Sequence, residues 1–278
     1  MPNPAIAYTR IKKVHNTRIT EEEDALAAEE PLEIRLLYGP AHNRKQQSIT
    51  VTMRTPGEDT ALVTGFLFTE GIITSASDIS TIHFPEVEQH AIAVSLHEHV
   101  QPVLQSTQRN FYSNSGCGVC GKTELASIYT SVDNAARNNI PPVLTFPATR
   151  LLALPDALRR QQLLFNDTGG LHAAALFNEA AELLLLREDI GRHNAVDKLV
   201  GAALSAGIPL HHSLMLLSGR AGFELIQKAA MANIPIVAAV GAPSSLAVRM
   251  AQQWNITLVG FLRQQRCNIY TNEHRIIM

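Results

Sequence analysis

Between residues 183 and 261 the sequence alternates four short, nearly continuous apolar runs with stretches of helical periodicity. The runs cover 183–186, 214–217, 236–240 and 256–261, and helices are expected over about 192–204, 223–232 and 246–254. A strand that is apolar along its length must be covered on both faces, and strands separated by helices join through crossovers. The spacing therefore predicts an α/β unit over 143–278: a mostly parallel sheet between helical layers.

Upstream the pattern changes. Leu32, Ile34 and Leu36 alternate with polar neighbours, as do Ile49, Val51 and Met53, and again Ile92, Val94 and Leu96, which predicts half-buried strands. Asp59 is placed to cap a helix with Leu62, Val63, Phe66 and Leu67 on one face and Gly71 at its end. Residues 31–132 read as a smaller α+β part that closes in a cysteine loop and a short helix over 123–132. Residues 133–142, polar and ending in Asn-Asn-Ile-Pro-Pro, read as a linker. Residues 1–30 are polar and carry an acidic run from Glu21 to Asp24, which suggests a solvated segment ahead of the fold.

Bulk properties narrow the class. With 278 residues, 46% of them hydrophobic, the chain can fill a sizeable core. A net charge of -2 supplies no basic field for nucleic acid, and the apolar runs are too short to span a bilayer. The start, MPNPAIAYTRIKK, lacks the charged-then-apolar pattern of a secretory signal, and three cysteines make no disulfide framework. The expectation is a cytoplasmic protein with reduced thiols, engaging neither nucleic acid nor membrane.

In such a sheet, ligands bind outside the carboxyl ends of the strands. The residues after each run are polar or glycine-rich: Asp189 to Asn194, with Arg192 and His193; Ser218-Gly219-Arg220; Gly241 to Ser245, with Ser244 opening a helix; and Arg263 to Arg266. Helix N-termini, hydroxyls and forked guanidinium groups are matched to phosphate oxygens. A polyanionic ligand, such as a nucleotide, is expected there. Taken singly, Ser244 reads as a helix cap, Arg263 and Arg266 as edge-strand charges, and His193 with Asp197 as a surface pair.

Ser115 to Lys122, SGCGVCGK, holds Cys117 and Cys120. Their spacing suits half of a zinc site, but no second pair exists, so His172, His193 or Cys267 would have to complete it. A zinc deaminase pairs its histidine with a glutamate two residues on, where this chain has Ala174 after His172. The segment before the pair is a poor strand, which disfavours a thioredoxin-like motif. Three glycines and Lys122 favour an accessible thiolate, hence a reactive thiol on a swinging loop, with a buried structural pair as the alternative.

These motifs together resemble the FdhD/NarQ family. The resemblance rests on Gly116-Cys117-Gly118-Val119-Cys120-Gly121, Thr168 to Ala174, the decapeptide Asp189 to Lys198, and Ser218-Gly219-Arg220. It continues through Ala242 to Ala247, Gly260-Phe261 and Asn268 to Thr271. It implies a cytidine-deaminase-like α/β/α sandwich, working as a homodimer. It also implies a sulfur carrier that takes sulfur from a cysteine desulfurase as a persulfide on Cys117, with Cys120 as auxiliary thiol. The acceptor implied is the molybdenum cofactor, bis(molybdopterin guanine dinucleotide), bound as substrate before it enters formate dehydrogenase, with no tightly held metal of the protein's own. Phe261, Leu262, Arg263, Gln264, Gln265 and Arg266 fall on the segment the family uses for the guanine nucleotide. Gln264, Gln265 and Cys267 depart there from the glycine and aromatic that family members often carry; Cys267 reads as a packing substitute.

Overall fold

The computed structural model describes residues 3–85, 90–104 and 144–278. The cysteine loop with Cys117 and Cys120, the helix expected over 123–132 and the linker 133–142 lie outside them.

The polar N-terminal segment is a hairpin of β1 (Ile6–His15) and β2 (Arg18–Ala27), turning at Asn16 with φ of 55°. Asparagine tolerates the left-handed backbone that tight hairpin turns need. The register sets Arg10 opposite Glu23 and Lys12 opposite Glu21, and Lys13 Nζ lies 3.0 Å from Glu22. The acidic run is solvated, as expected, yet forms a strand because a cationic strand stands against it.

A four-stranded sheet follows, built from β3 (Glu30–Tyr38), β4 (Lys45–Arg54), β5 (Ile79–His83) and β6 (Ala91–Leu96) in the order β4-β3-β6-β5. Helix α1 (Asp59–Thr69) covers it, packing Leu62, Val63 and Leu67 on Leu32, Ile34, Ile92 and Val94. Each of these fully buried side chains stabilises the fold by roughly 1.5–3 kcal/mol. Two details depart from the sequence reading. A bulge in β4 pairs Ile34 with Thr50 and Arg35 with Ser48, so Ile49 and Thr50 are both buried and Val51 faces solvent. The helix is entered through Glu58, in a left-handed conformation, instead of being capped by Asp59; the Asp59 carboxylate instead accepts two hydrogen bonds from Arg54.

The second sheet has six strands. In chain order, β7 (Phe146–Pro147) leads through α2 (Ala148–Leu151), α3 (Leu154–Gln161) and α4 (Leu163–Thr168) into β8 (His172–Phe177) and β9 (Leu183–Asp189). There follow α5 (Arg192–Ser205), β10 (Leu214–Leu217), α6 (Phe223–Met231), β11 (Ile236–Ala239), α7 (Ser245–Gln253), β12 (Thr257–Arg263), β13 (Arg266–Thr271) and β14 (Ile276–Ile277). The order is β13-β12-β11-β10-β8-β9, while β14 pairs with β7 apart from it. Strands β10, β11 and β12 are parallel neighbours, and β8 inserts antiparallel between β10 and β9. Hence β9 to β12, the four runs seen in the sequence, share one direction, while β8 and the edge strand β13 oppose it.

Side chains alternate across this sheet with a period of two. Met215, Leu217, Val237 and Ala239 face the core under α5, α6 and α7, whereas Leu214, Leu216, Ile236 and Ala238 face the core with Phe146, Leu151 and Leu158. The result is a helix-sheet-helix sandwich. Helices α1 and α5 join the two sheets through glycines: a Cβ on Gly65 would lie 1.9 Å from the Asp197 carbonyl, and one on Gly201 1.9 Å from that of Ala61. No helix among the described residues is long and apolar enough to cross a membrane.

Candidate functional site: a cationic rim at the strand ends

Because β9 to β12 run the same way, their carboxyl ends form one rim, and β8, running against them, brings its first residue, His172, to the same edge. The loops there are knitted by backbone bonds: Gly241 N–H donates to the Gly219 carbonyl, Ala221 N–H to Ala242 and Phe261 N–H to Gly241. Ala173 N–H donates to the Ser218 hydroxyl at 2.8 Å, so Ser218 holds β10 to β8. Ser244 is exposed and caps α7, its hydroxyl accepting from Ala247 N–H at 3.2 Å.

The residues after β9 divide into two groups. Asp189 is fully buried and accepts from Thr55 N–H, Gly191 N–H, Asn194 Nδ2 and Lys198 Nζ. Lys198 Nζ also donates to the Thr55 carbonyl, and Asn194 Nδ2 to that of Met53. This half of the decapeptide ties the end of β4 to α5 and has no capacity left for a ligand. The remaining pair points elsewhere: Arg192 and His193 open α5 and are half-buried.

His193 Nε2 lies 2.7 Å from Glu224 on α6. Burial pushes the Glu224 carboxyl up, but the hydrogen bond from His193 pulls it down further, leaving it below the usual carboxylate range. The Arg192 Nε is buried with no hydrogen-bond partner among the described residues. Arg220 is exposed at the end of β10. His172 is half-buried beside Gly219, whose Cβ, if present, would stand 3.1 Å from His172 Nδ1. Burial, then the charges of Arg192, His193 and Arg220, hold the His172 imidazole below the usual histidine value; Asp189 pulls the other way without prevailing. Four cationic or ionisable groups thus converge, and the nearby Glu224 carboxylate is taken up by His193. An anion is what such a cluster attracts.

At the other end of the rim, Phe261 has φ of +50° and is 40% exposed. A bulge here turns β12, so that Leu262 enters the core, fully buried, while Phe261 turns outward. A bulky residue in this conformation is a true outlier, of the kind that clusters at functional sites. Of the other residues expected to hold a nucleotide, Arg263 donates to the Val240 carbonyl at 2.9 Å and Gln264 to Asp156 at 2.7 Å. Gln265 and Arg266 are exposed at the β12–β13 turn, and the Leu262 side chain is inaccessible to a ligand. Cys267 is half-buried against the core, and burial pushes its thiol up, away from the reactive thiolate.

His172 belongs to this rim although periodicity gave it no part in an anion site. Only the reversed direction of β8 reveals it, whereas Glu224 stands on the helix that follows Ser218-Gly219-Arg220 in the sequence and reaches His193 through the packing of α6 beside α5. A cleft of about 250 Å³ lined by Thr55, Gly57, Glu58, Leu164, Arg187 and Lys198 is a poorer anion site, because Arg187 pairs with Glu58 and Lys198 with Asp189. Among the described residues no group of three or more His, Cys, Asp or Glu could hold a metal ion.

Comparison with known proteins identifies relatives of the whole chain. A protein of Streptomyces avermitilis named sulfur carrier protein FdhD is 45% identical over 277 residues, covering 97% of this chain and 95% of that one. Proteins of the same name from Mycobacterium tuberculosis and Saccharolobus solfataricus are 46% and 40% identical, covering 98% and 96% of this chain and 99% and 98% of their own lengths. The fold matches a crystal structure from Desulfotalea psychrophila, described as a formate dehydrogenase accessory protein, with a TM-score of 0.72. That match has 23% identity and covers 99% of this chain and 100% of the other. Residues 27–277 match the FdhD/NarQ family, and the chain belongs to it.

Proposed function

We propose that this protein is a sulfur carrier serving formate dehydrogenase, moving sulfur on Cys117 to the molybdenum cofactor. The observation that carries the reading is near-full-length identity of 40–46% to proteins named sulfur carrier, in a chain that has a paired-cysteine loop. In the first step the Cys117 thiolate attacks the outer sulfur of a cysteine desulfurase persulfide. The new S–S bond leaves Cys117 as the persulfide and releases the desulfurase thiolate. Attack by the Cys120 thiolate on the Cys117 sulfur would then release hydrosulfide and leave a disulfide between the two, a route by which the auxiliary thiol delivers sulfur in reduced form.

The acceptor, bis(molybdopterin guanine dinucleotide), is bound as substrate. Its phosphates suit Arg192, Arg220 and His172, and its guanine suits the exposed ring of Phe261, with Tyr270 exposed on the neighbouring strand. The protein works as a homodimer in the cytoplasm on this reading, meeting the desulfurase and formate dehydrogenase in turn.

The test is intact mass after incubation with a cysteine desulfurase and cysteine. A gain of one sulfur, lost in Cys117→Ala, is expected. An accessible, reduced Cys117 that takes up no sulfur would refute the carrier reading and favour a cofactor-binding chaperone with structural cysteines.

A further inference from the structure

We infer that His172 is a proton-linked ligand for a diphosphate group, which it takes together with Arg192 and Arg220, gaining one proton as the group binds. The inference rests on the reading of the rim as the cofactor's nucleotide site, and adds which residues grip the diphosphate and how pH controls that grip.

The geometry is specific to this edge of the sheet. His172 is register partner to Asp189 on β9, lies against Gly219 at the end of β10, and is faced by Arg192 and His193 from α5 and by Arg220. Among the described residues the carboxylate that acts on it is Asp189, which is already engaged by Lys198 and three other donors. Glu224 is paired with His193. Arg192 Nε is buried with no hydrogen-bond partner among the described residues, an unmet donor at this edge of the sheet.

Burial, and then the positive charge concentrated around it, favour the neutral form of His172 in the free rim. A diphosphate brings at least two negative charges to the same place. It pairs with the guanidinium groups, reverses the local field and favours imidazolium, which gains a donor for a phosphate oxygen. The imidazole accepts the proton from solvent; no bond other than N–H is made. Linkage then fixes the sign. A group whose pKa rises on binding strengthens binding as pH falls through its bound-state pKa, and the gain levels off below its free-state value. The free-state value lies below that of an ordinary histidine, so the gain is complete only on the acid side of the ordinary histidine range.

The probe must not titrate itself. GDP has a terminal phosphate that does so near pH 6; GDP-mannose, with both phosphates esterified, does not, and it matches the esterified diphosphate of a dinucleotide. Calorimetric titration of the full chain with GDP-mannose, in two buffers of different ionisation enthalpy, counts the protons taken up. Uptake approaching about one proton is expected, with affinity rising by up to about tenfold per pH unit on acidification. In His172→Gln the uptake and the pH slope vanish while weaker binding persists. Arg220→Gln, a change at an exposed residue, weakens binding by roughly tenfold or more at every pH. ADP-glucose should show the same uptake, because the diphosphate and not the base is what His172 reads.

Any of four results overturns the inference: no binding of GDP-mannose, binding without proton uptake, an unchanged slope in His172→Gln, or loss of the slope in His193→Gln instead. None of them touches the carrier reading, since persulfide formation on Cys117 is read by mass in the absence of nucleotide.

Discussion

Lys198 is 2% exposed, and its ammonium meets Asp189 at 2.7 Å and the Thr55 carbonyl at 2.8 Å. In the sequence, Asp189 and Lys198 read equally well as ligand groups, because both stand after an apolar run in a polar motif. Burial decides otherwise, and burial is set by how the end of β4 lies over this loop, which no local pattern reveals. The neighbours Arg192 and His193 stay half-exposed because α5 turns them outward at its first turn. Removing the lysine leaves a carboxylate uncompensated in the interior, and such a loss costs about 3–5 kcal/mol. Lys198→Met should therefore lower the urea midpoint sharply at neutral pH. Burial pushes the Asp189 carboxyl up against the pull of Lys198, and without the lysine it rises further, so the variant's folded state binds a proton at a pH where the unfolded chain has lost it. A raised carboxyl contributes stability below its unfolded pKa and loses it as pH rises through the folded value. The deficit of Lys198→Met should accordingly shrink toward acid. A change below about 1 kcal/mol at neutral pH would show the pair to be dispensable.

At the level of elements, the strands that were legible are those buried on both faces by branched and long apolar side chains, such as Leu214–Leu217 and Ile236–Ala239. Strand β8, His172-Ala-Ala-Ala-Leu-Phe, was not, because alanine carries little strand preference. Its small side chains are buried at 5% exposure or less, where larger ones would crowd α5 and α3. That missing strand is also why His172 was not placed at the rim. The contact between α1 and α5 was equally hidden. Glycine within a helix reads as a weakness, worth about 1 kcal/mol less than alanine. Here Gly201 lets the two backbones touch, and an added methyl group would overlap the Ala61 carbonyl. Gly201→Ala should thus destabilise the fold by about 1–3 kcal/mol or more despite its better helix propensity. A stabilised variant in thermal or urea unfolding would mean that the helices can part freely.

For the whole molecule, the question is whether the two sheets unfold together. The sequence suggested an α+β part and an α/β part separated near 133–142, since composition and periodicity change there. Those changes report local pattern and are blind to what bridges the parts. Lys228 on α6 is that bridge: its ammonium lies 3.0 Å from Asp197 on α5, 2.8 Å from Glu70 after α1, and 3.0 Å from the Thr69 hydroxyl. Burial alone would lower its pKa, but the Asp197 and Glu70 carboxylates raise it above the ordinary lysine range, which favours the charged form. With the Asp189 network and the glycine contact, this makes three independent ties across one interface. Chains of this length often unfold through intermediates, whereas ties of this kind predict one cooperative transition. Trp254, the chain's one tryptophan, is buried in the second core and reports on that half alone. Its fluorescence should lose native signal at the same denaturant concentration as far-UV circular dichroism, which samples both sheets. Lys228→Met, which takes the buried ammonium away from Asp197 and Glu70, should move both curves together by an amount worth about 3–5 kcal/mol. If the variant instead split them, with Trp254 keeping its native signal while half the strand signal was lost, the sheets would be separate folding units joined only at their surfaces.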